Sequence, residues 1–481
     1  MTPSEHYPAP RLFLDGEWTD GTSGRRQPVL NPATGRVIGE VPHASAADLD
    51  RAVAAAARAF PAWAALGAGG RGPILHRAEA LIRERAAEIA RIATLEQGKP
   101  VAESRAEVMR AAGTLSYYAE EARRAYGRII PGDPGTLLTV RHAPVGPVAA
   151  FVPWNFPAGG PLRKLSPALA AGCTLVIKYS EETPATACAI IRALEVAGLP
   201  PGVVNLVFGD PPMISQTLIA DPRIRMVAFT GSVPVGKQIA GLAAQVMKPS
   251  LMELGGHAPV IVCADADPVL AARRSAAGKF ANAGQVCTAP SRFLVHETLF
   301  DRFAEAVVAE ARALRVGNGL ADGVTMGPMA NPRRIEAMER MVADALARGA
   351  RLLTGGKRIG NEGFFFEPTV LADVPPEAEI MQVEPFGPVA PLRRFADLDA
   401  AMAEANATPY GLAAYGFTRS AATAERLVAG FEAGILSINH TGGSVHEAPS
   451  GGVKESGHGR EGGPEGLHSY LYAKRVSHRL E

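Results

Sequence analysis

The sequence predicts an α/β protein with a doubly wound parallel sheet, a second α/β domain and a small β arm, on three observations. Between residues 147 and 253 strand and helix signals alternate: PVAAF before PLRKLSPALAAG, TLVIK before TPATACAIIRALEVAG, VVNLVF before a helix near 212–220, RMVAF before VPVGKQIAGLAA, and then SLMEL. Such alternation favours parallel strands with helices on both faces. A new alternating series opens near 258 with APVIVC, a helix at 267–282, SRFLVH, a helix at 298–313 and a long helix at about 332–348. The stretch around 126–142 (GRIIPGDPGTLLTVRHAP) and the tail SYLYAKRVS belong to neither series and read as extended. At 481 residues the chain is too long for one compact core.

The elements follow in order. Residues 11–42 are short strands and turns, with Asp15-Gly16 and Thr34-Gly35 supplying the turn chemistry. ASAADLDRAVAAAARAFPAWAAL is a helix with Ser45 as N-cap and Leu49, Val53, Ala56 and Phe60 on one face, and Pro61 predicts a late kink or break. GPILHRAEALIRERAAEIARIATLEQG reads as one helix ended by Gly98, and a third helix spans about 101–125. From about 436 the chain turns irregular and Gly-rich. The division that results is 1–125 with 143–252, a second domain at 253–435, a loop region at 436–459, and an arm formed by 126–142 with 460–481.

Composition narrows the function. Lys and Arg number 49 against 48 for Asp and Glu, and the formal charge of +1 gives no footprint for nucleic acid or an anionic membrane. No segment offers a membrane-spanning apolar run, and MTPSEHYPAP lacks the pattern of a secretory leader. Cys173, Cys188, Cys263 and Cys287 are irregularly spaced, which fits neither a disulfide framework nor a Cys-x-x-Cys metal site. No metal is expected, and a reducing, cytoplasmic compartment is the simplest reading.

Chemistry concentrates in a few segments. Cys287 sits in AGQVCTAPSRF among small and polar residues that leave the backbone free to approach a substrate, so its thiol is a candidate nucleophile. A lone cysteine is more often a small buried hydrophobe. FTGSVPVG, with Gly231, Ser232 and Gly236, follows a strand and opens a helix, as a phosphate site requires, although a plain glycine turn reads the same way. In VIKYSEETP, Lys178 and Glu181 stand at the end of a strand, where a solvated turn would also place two charges.

Taken together, FVPWNFP at 151–157, MELGGHAPV at 252–260 and the Cys287 segment resemble the aldehyde dehydrogenase superfamily, which carries these motifs in this order. The resemblance spans nearly the whole chain and is nearest to NAD(P)-dependent succinate semialdehyde and α-ketoglutarate semialdehyde dehydrogenases. It implies a Rossmann-like cofactor domain, a catalytic domain, an arm that builds a homodimer or homotetramer, and NAD as cofactor. NADP is less favoured, because a Glu181 carboxylate would accept from a ribose 2′-hydroxyl and repel a 2′-phosphate. Cofactor contacts then fall to Trp154, Lys178, Glu181, Gly231, Ser232, Gly236, Leu254, Glu384 and Phe386. Tyr179, where relatives commonly have proline, is expected to loosen the turn.

The implied mechanism is attack by Cys287 on the aldehyde carbon, with the oxyanion held by the Asn155 amide and the Cys287 backbone N–H. Hydride transfer leaves a thioester, and Glu253 activates the water that releases the acid. Arg163 and Ser444 match positions that grip the distal carboxylate of a semialdehyde. The second arginine of many such relatives is Ala281 here, and Ser450 replaces a usual phenylalanine, which opens the site to a longer, uncharged or aromatic aldehyde. His440 and His446 lie in the same loop. Glu253 argues against a CoA-acylating relative, Cys287 and Asn155 against a catalytically silent scaffold, and the lack of a histidine near Cys287 closer than His296 against a cysteine hydrolase.

Overall fold

The computed structural model describes residues 7–442 and 445–480. Five parallel strands, in the spatial order Ser250–Glu253, Met226–Thr230, Val148–Phe151, Leu175–Lys178, Val204–Val207, form the centre of an eight-stranded sheet. They are buried along nearly their whole length, as strands covered on both faces must be. The chain steps from Val148–Phe151 out to Val204–Val207, then returns to set Met226–Thr230 on the opposite side of Val148–Phe151. That reversal leaves a crevice at the carboxyl ends of the two strands, which is where doubly wound sheets bind ligands.

The second sheet has seven strands, in the order Arg351–Thr354, Thr369–Ala372, Val389–Phe395, Pro290–His296, Ala258–Val262, Ala413–Phe417, Ile435–Ile438. Its two faces bury different residues of one strand. Val260 and Val262 point into a large core with Phe293, Phe303 and Met338, while Ile261 and Cys263 point into a smaller one with Leu294 and Leu427. The third sheet is antiparallel: Leu471–Arg479 pairs along its full length with Thr136–Pro144, which also pairs with Arg128–Ile130. The arm and the tail expected to share a sheet therefore do so within one chain.

Some local expectations are corrected. Ser45 caps its helix as expected, in a capping box with Asp48, but Pro61 does not break it: the helix Ala46–Ala65 runs through. Pro61 costs the helix the one hydrogen bond to the Ala57 carbonyl, and the helix ends a turn later at Ala65. The single helix expected up to Gly98 is two, Gly67–Glu84 and Ala86–Gln97, parted at Arg85 (φ −92°, ψ 11°). Gly98 does end the second, at φ 99°. The region 436–459 is not only loop, since Gly457–His458 forms an antiparallel edge beside Ser250–Glu253. A two-residue strand is too short to carry a period. No described helix is long and apolar enough to cross a membrane.

Candidate active site

The crevice gathers residues from strand ends. Trp154 and Asn155 follow Val148–Phe151, Lys178 ends Leu175–Lys178, Gly231 and Ser232 follow Met226–Thr230, and Glu253 ends Ser250–Glu253. Cys287 comes from the other side, on the loop between the 3-10 turn Ala281–Gly284 and the strand Pro290–His296.

That loop is held in an unusual backbone shape. Asn282, Ala283 and Gly284 are all left-handed (φ 50°, 51° and 72°), a conformation that non-glycine residues adopt only when the surroundings impose it. Gly284 is also packed so closely that a Cβ would lie 2.1 Å from the Gly387 carbonyl oxygen. A buried hydrogen-bond network imposes the shape. Gln97 Nε2 donates to Asn282 Oδ1 (2.7 Å), and Asn282 donates through its backbone to Glu103 (2.9 Å) and through Nδ2 to the Asn155 carbonyl (2.9 Å). Gln285 donates to the Asn282 carbonyl (3.1 Å) and accepts from Ala330 N–H (2.9 Å).

Asn155 is fixed by the same network. Its carbonyl accepts from Lys99 Nζ (2.8 Å), and Lys99 pairs with Glu107 at 2.5 Å in full burial. Glu107 in turn accepts from the N–H groups of Ala158 (2.8 Å) and Gly159 (2.9 Å). Asn155 Nδ2 donates one N–H to the Gln285 carbonyl (3.1 Å), which leaves the second for an oxyanion. Lys99→Met should strand the buried Glu107 carboxylate and cost about 3–5 kcal/mol of stability, read by denaturant unfolding.

The titrating groups near the thiol are shifted upward. Burial, followed by the charges of Glu384 and Glu253, pushes the half-buried Cys287 thiol up to about 12, against the pull of Arg163. Burial and then Glu461 push Glu253 up to about 8, opposed by Lys164, Arg163 and Arg460. Glu253 Oε1 is buried with no hydrogen-bond partner among the described residues, and Gly451 packs against it so that a Cβ there would come within 2.9 Å. Behind it lies a fully buried ion pair of Lys164 with Glu461.

On the opposite side, Lys178 Nζ donates to Glu181 (2.8 Å), whose other oxygen accepts from Gly209 N–H (2.8 Å). Tyr179 does not loosen this turn: its ring is fully buried and its N–H donates to the Val207 carbonyl (3.3 Å), a bond proline could not make. Ser232 is the N-cap of Val233–Gln245 and its side chain makes no capping bond, so it does not satisfy the first-turn N–H groups. Gly236 lets that helix settle on Leu254, where a Cβ would come 2.3 Å from Cδ2. Trp154 meets Phe386 edge to face (5.6 Å), and Arg334 lies over the Phe386 ring (5.8 Å) and donates to its carbonyl (3.3 Å). Glu384, raised to about 7 mainly by burial, accepts from Gly256 N–H (3.1 Å). An open helix start, a held carboxylate and an aromatic pair along one crevice fit a dinucleotide.

Arg163 is half-buried in Gly159–Ala171, and its positive charge acts on Cys287, Glu253 and His446. Ser444 lies outside the described residues. Ser450 exchanges backbone hydrogen bonds with Glu461 (2.5 and 2.8 Å).

The aldehyde dehydrogenase family model matches residues 18–476. The chain belongs to the aldehyde dehydrogenase family. It is 48% identical over 473 residues to a putative 4-(hydroxymethyl)benzenesulfonate dehydrogenase of Comamonas testosteroni, covering 97% of this chain and 98% of that one. An Escherichia coli succinate-semialdehyde dehydrogenase [NADP(+)] is 43% identical over 465 residues, 96% of each chain. The crystal structure of a succinate-semialdehyde dehydrogenase from Burkholderia pseudomallei superimposes with a TM-score of 0.97 at 40% identity, covering 100% and 99%. As an aldehyde dehydrogenase the protein is an NAD(P)-dependent oxidoreductase acting on aldehydes. Sequence reading missed the residues beneath the site: Gln97, Lys99, Glu107, Lys164, Asn282 and Glu461. Lys164 did leave a signal, a charge set among apolar residues in PLRKLSPAL.

Proposed function

We propose that this aldehyde dehydrogenase oxidises an aldehyde with a distal carboxylate or sulfonate, such as a semialdehyde, to the carboxylic acid, with NAD preferred to NADP. Arg163 carries the reading: a guanidinium acting on both Cys287 and Glu253 suits an anion held while the aldehyde carbon meets the thiol. The names of the two relatives, one for a sulfonate and one for a semialdehyde, support the shared feature of a terminal oxyanion. Glu181 supports NAD, because a carboxylate at the ribose repels a 2′-phosphate.

Cys287 gives up its thiol proton to water and attacks the aldehyde carbon as the thiolate, and Asn155 Nδ2 with the Cys287 backbone N–H holds the oxyanion that forms. A bound nicotinamide cofactor supplies the hydride acceptor. Trp154, Lys178, Glu181, Gly231, Ser232, Gly236, Leu254, Glu384 and Phe386 would hold it. Glu253 then takes a proton from the water that hydrolyses the Cys287 thioester. The exposed apolar side chains on and around the arm, Tyr126, Ile129, Tyr472 and Leu480, support a homodimer or homotetramer, and a cytoplasmic location fits the unpaired cysteines.

The test is reduced-cofactor formation with succinate semialdehyde against butanal, and 4-formylbenzenesulfonate against benzaldehyde, each with NAD and NADP. The native enzyme should favour the anionic aldehydes in kcat/KM. Arg163→Ala should lower kcat/KM for them by roughly 10- to 100-fold, the worth of one charge-assisted pair, and lower it clearly less for the neutral aldehydes, which lose only the pull of Arg163 on Cys287 and Glu253. Equal turnover of neutral and anionic aldehydes by the native enzyme would remove the reading.

A further inference from the structure

The two halves of the candidate active site come from different sheets. Asn155 follows a strand of the first, and Cys287 stands on the loop that enters Pro290–His296 of the second. One side chain ties them. Asn282 Nδ2 donates to the Asn155 carbonyl (2.9 Å) and to the Gln285 carbonyl (3.3 Å), and the Gln285 carbonyl is also the oxygen to which Asn155 Nδ2 donates (3.1 Å). The Asn282 amide therefore grips Asn155 by its backbone and, through a shared acceptor, by its side chain.

The direction of that grip is dictated from further back. The Lys99 backbone N–H can only donate, and it takes Gln97 Oε1 as its acceptor (2.9 Å). Gln97 must then present Nε2 to Asn282, whose Oδ1 accepts it (2.7 Å), and this leaves Asn282 Nδ2 for the two carbonyls. Turned the other way, Asn282 would set an acceptor against two acceptors. Gln97, Asn282, Gln285 and Asn155 are all buried, so bulk water offers none of them an alternative partner.

We propose that Asn282 is a positioning residue for the chemical step: the relay of amides from Gln97 through Asn282 turns Asn155 so that its remaining N–H meets the aldehyde oxygen as Cys287 adds to the carbon. In that step the sulfur–carbon bond forms and the carbonyl π pair moves onto oxygen, where the Asn155 and Cys287 N–H groups receive it. Asn282 acts through Asn155. This rests on the oxyanion role given to Asn155 above.

The experiment compares the native enzyme with Asn282→Gly, Asn282→Asp, Asn155→Ala and the double variant of Asn282→Gly with Asn155→Ala. Glycine accepts the φ of 50° at this position without strain, so Asn282→Gly removes the amide alone. Asn282→Asp keeps the shape and the bond from Gln97 but brings an acceptor, or at most one O–H, where two donors stood, and it carries the test should the glycine variant not fold. Acylation is read in single turnover as NADH formed with enzyme in excess over succinate semialdehyde or 4-formylbenzenesulfonate, whichever the native enzyme oxidises faster. It should fall by roughly 10- to 100-fold in both Asn282 variants and by about 10²- to 10³-fold in Asn155→Ala, while Kd for NAD stays within about twofold. Alkylation of Cys287 by iodoacetamide, located by peptide mass, should stay within about threefold in the Asn282 variants, because displacement of iodide builds no oxyanion. Adding Asn282→Gly to Asn155→Ala should cost less than about threefold more, since a residue that acts through Asn155 has nothing left to position.

Acylation and alkylation falling together would mean that the Cys287 loop had collapsed, and would overturn the inference. A loss that added in full to that of Asn155→Ala would overturn it too. Native acylation in the Asn282 variants beside a large loss in Asn155→Ala would overturn this inference alone. Native acylation in Asn155→Ala would remove the oxyanion role of Asn155 and this inference with it.

Discussion

Cys287→Ala is expected to abolish aldehyde oxidation, by at least about 10⁴-fold, while NAD(P) binding stays within about twofold of native. The loss should be complete because no other thiol can stand in. Cys173 is buried in the first core with Sγ donating to the Tyr470 carbonyl (3.4 Å), Cys188 lies on the helix Pro184–Val196 with Sγ donating to the Arg11 carbonyl (3.4 Å), and Cys263 is buried in the small core of the second sheet. Binding should survive because the residues of the dinucleotide crevice come from strand ends and from the Glu384–Phe386 segment, none of which depends on the thiol. The loop should also keep its shape, since Asn282 and Gln285 hold it through bonds that bypass residue 287. Kinetics of reduced-cofactor formation alongside a titration of intrinsic fluorescence with NAD would read both halves. Retained turnover would displace Cys287 as the nucleophile, and lost binding would mean that the loop had collapsed.

The alternation of strand and helix was enough to read the five central strands of the first sheet and the strands Ala258–Val262 and Pro290–His296 of the second, because buried parallel strands are short apolar runs separated by amphipathic helices. It could not show the joins. Leu12–Leu14 pairs with Val204–Val207 and Gly457–His458 with Ser250–Glu253, contacts between segments far apart in the chain made by strands of two or three residues. The site divides in the same way. Asn155, Glu253 and Cys287 stand in long motifs whose order is visible in one dimension. Lys99, Glu107, Lys164 and Glu461 act by being buried in pairs, and burial of a charge depends on partners that only the fold brings together. Glu107 lies in a helix whose exposed face is also charged, so nothing in its spacing separates it from a surface acid.

Glu253→Gln should separate the two halves of the reaction. The amide keeps the shape of the side chain but cannot take a proton from water, so deacylation should slow by roughly 10²- to 10⁴-fold while acylation proceeds. A rapid-mixing trace should then show a burst of about one equivalent of reduced cofactor per Cys287, followed by a slow steady state. In the native enzyme the steady-state rate should climb as pH rises towards about 8, where Glu253 becomes a carboxylate, and the variant should lack that limb. Two further effects follow from charge. The Glu253 carboxylate helps to push Cys287 up, so its removal should make the thiol react faster with iodoacetamide at alkaline pH, opposite in sign to the loss of turnover. Between the ordinary carboxylate range and about 8, folded Glu253 keeps a proton that the unfolded chain has released, so folding stability falls as pH rises through that window. Glu253→Gln removes that contribution, and its denaturation midpoint should gain on the native protein as pH rises from about 4.5 to about 8, and no further above it. A variant that lost the burst along with the steady state would place Glu253 in acylation instead, as the base that takes the proton from Cys287.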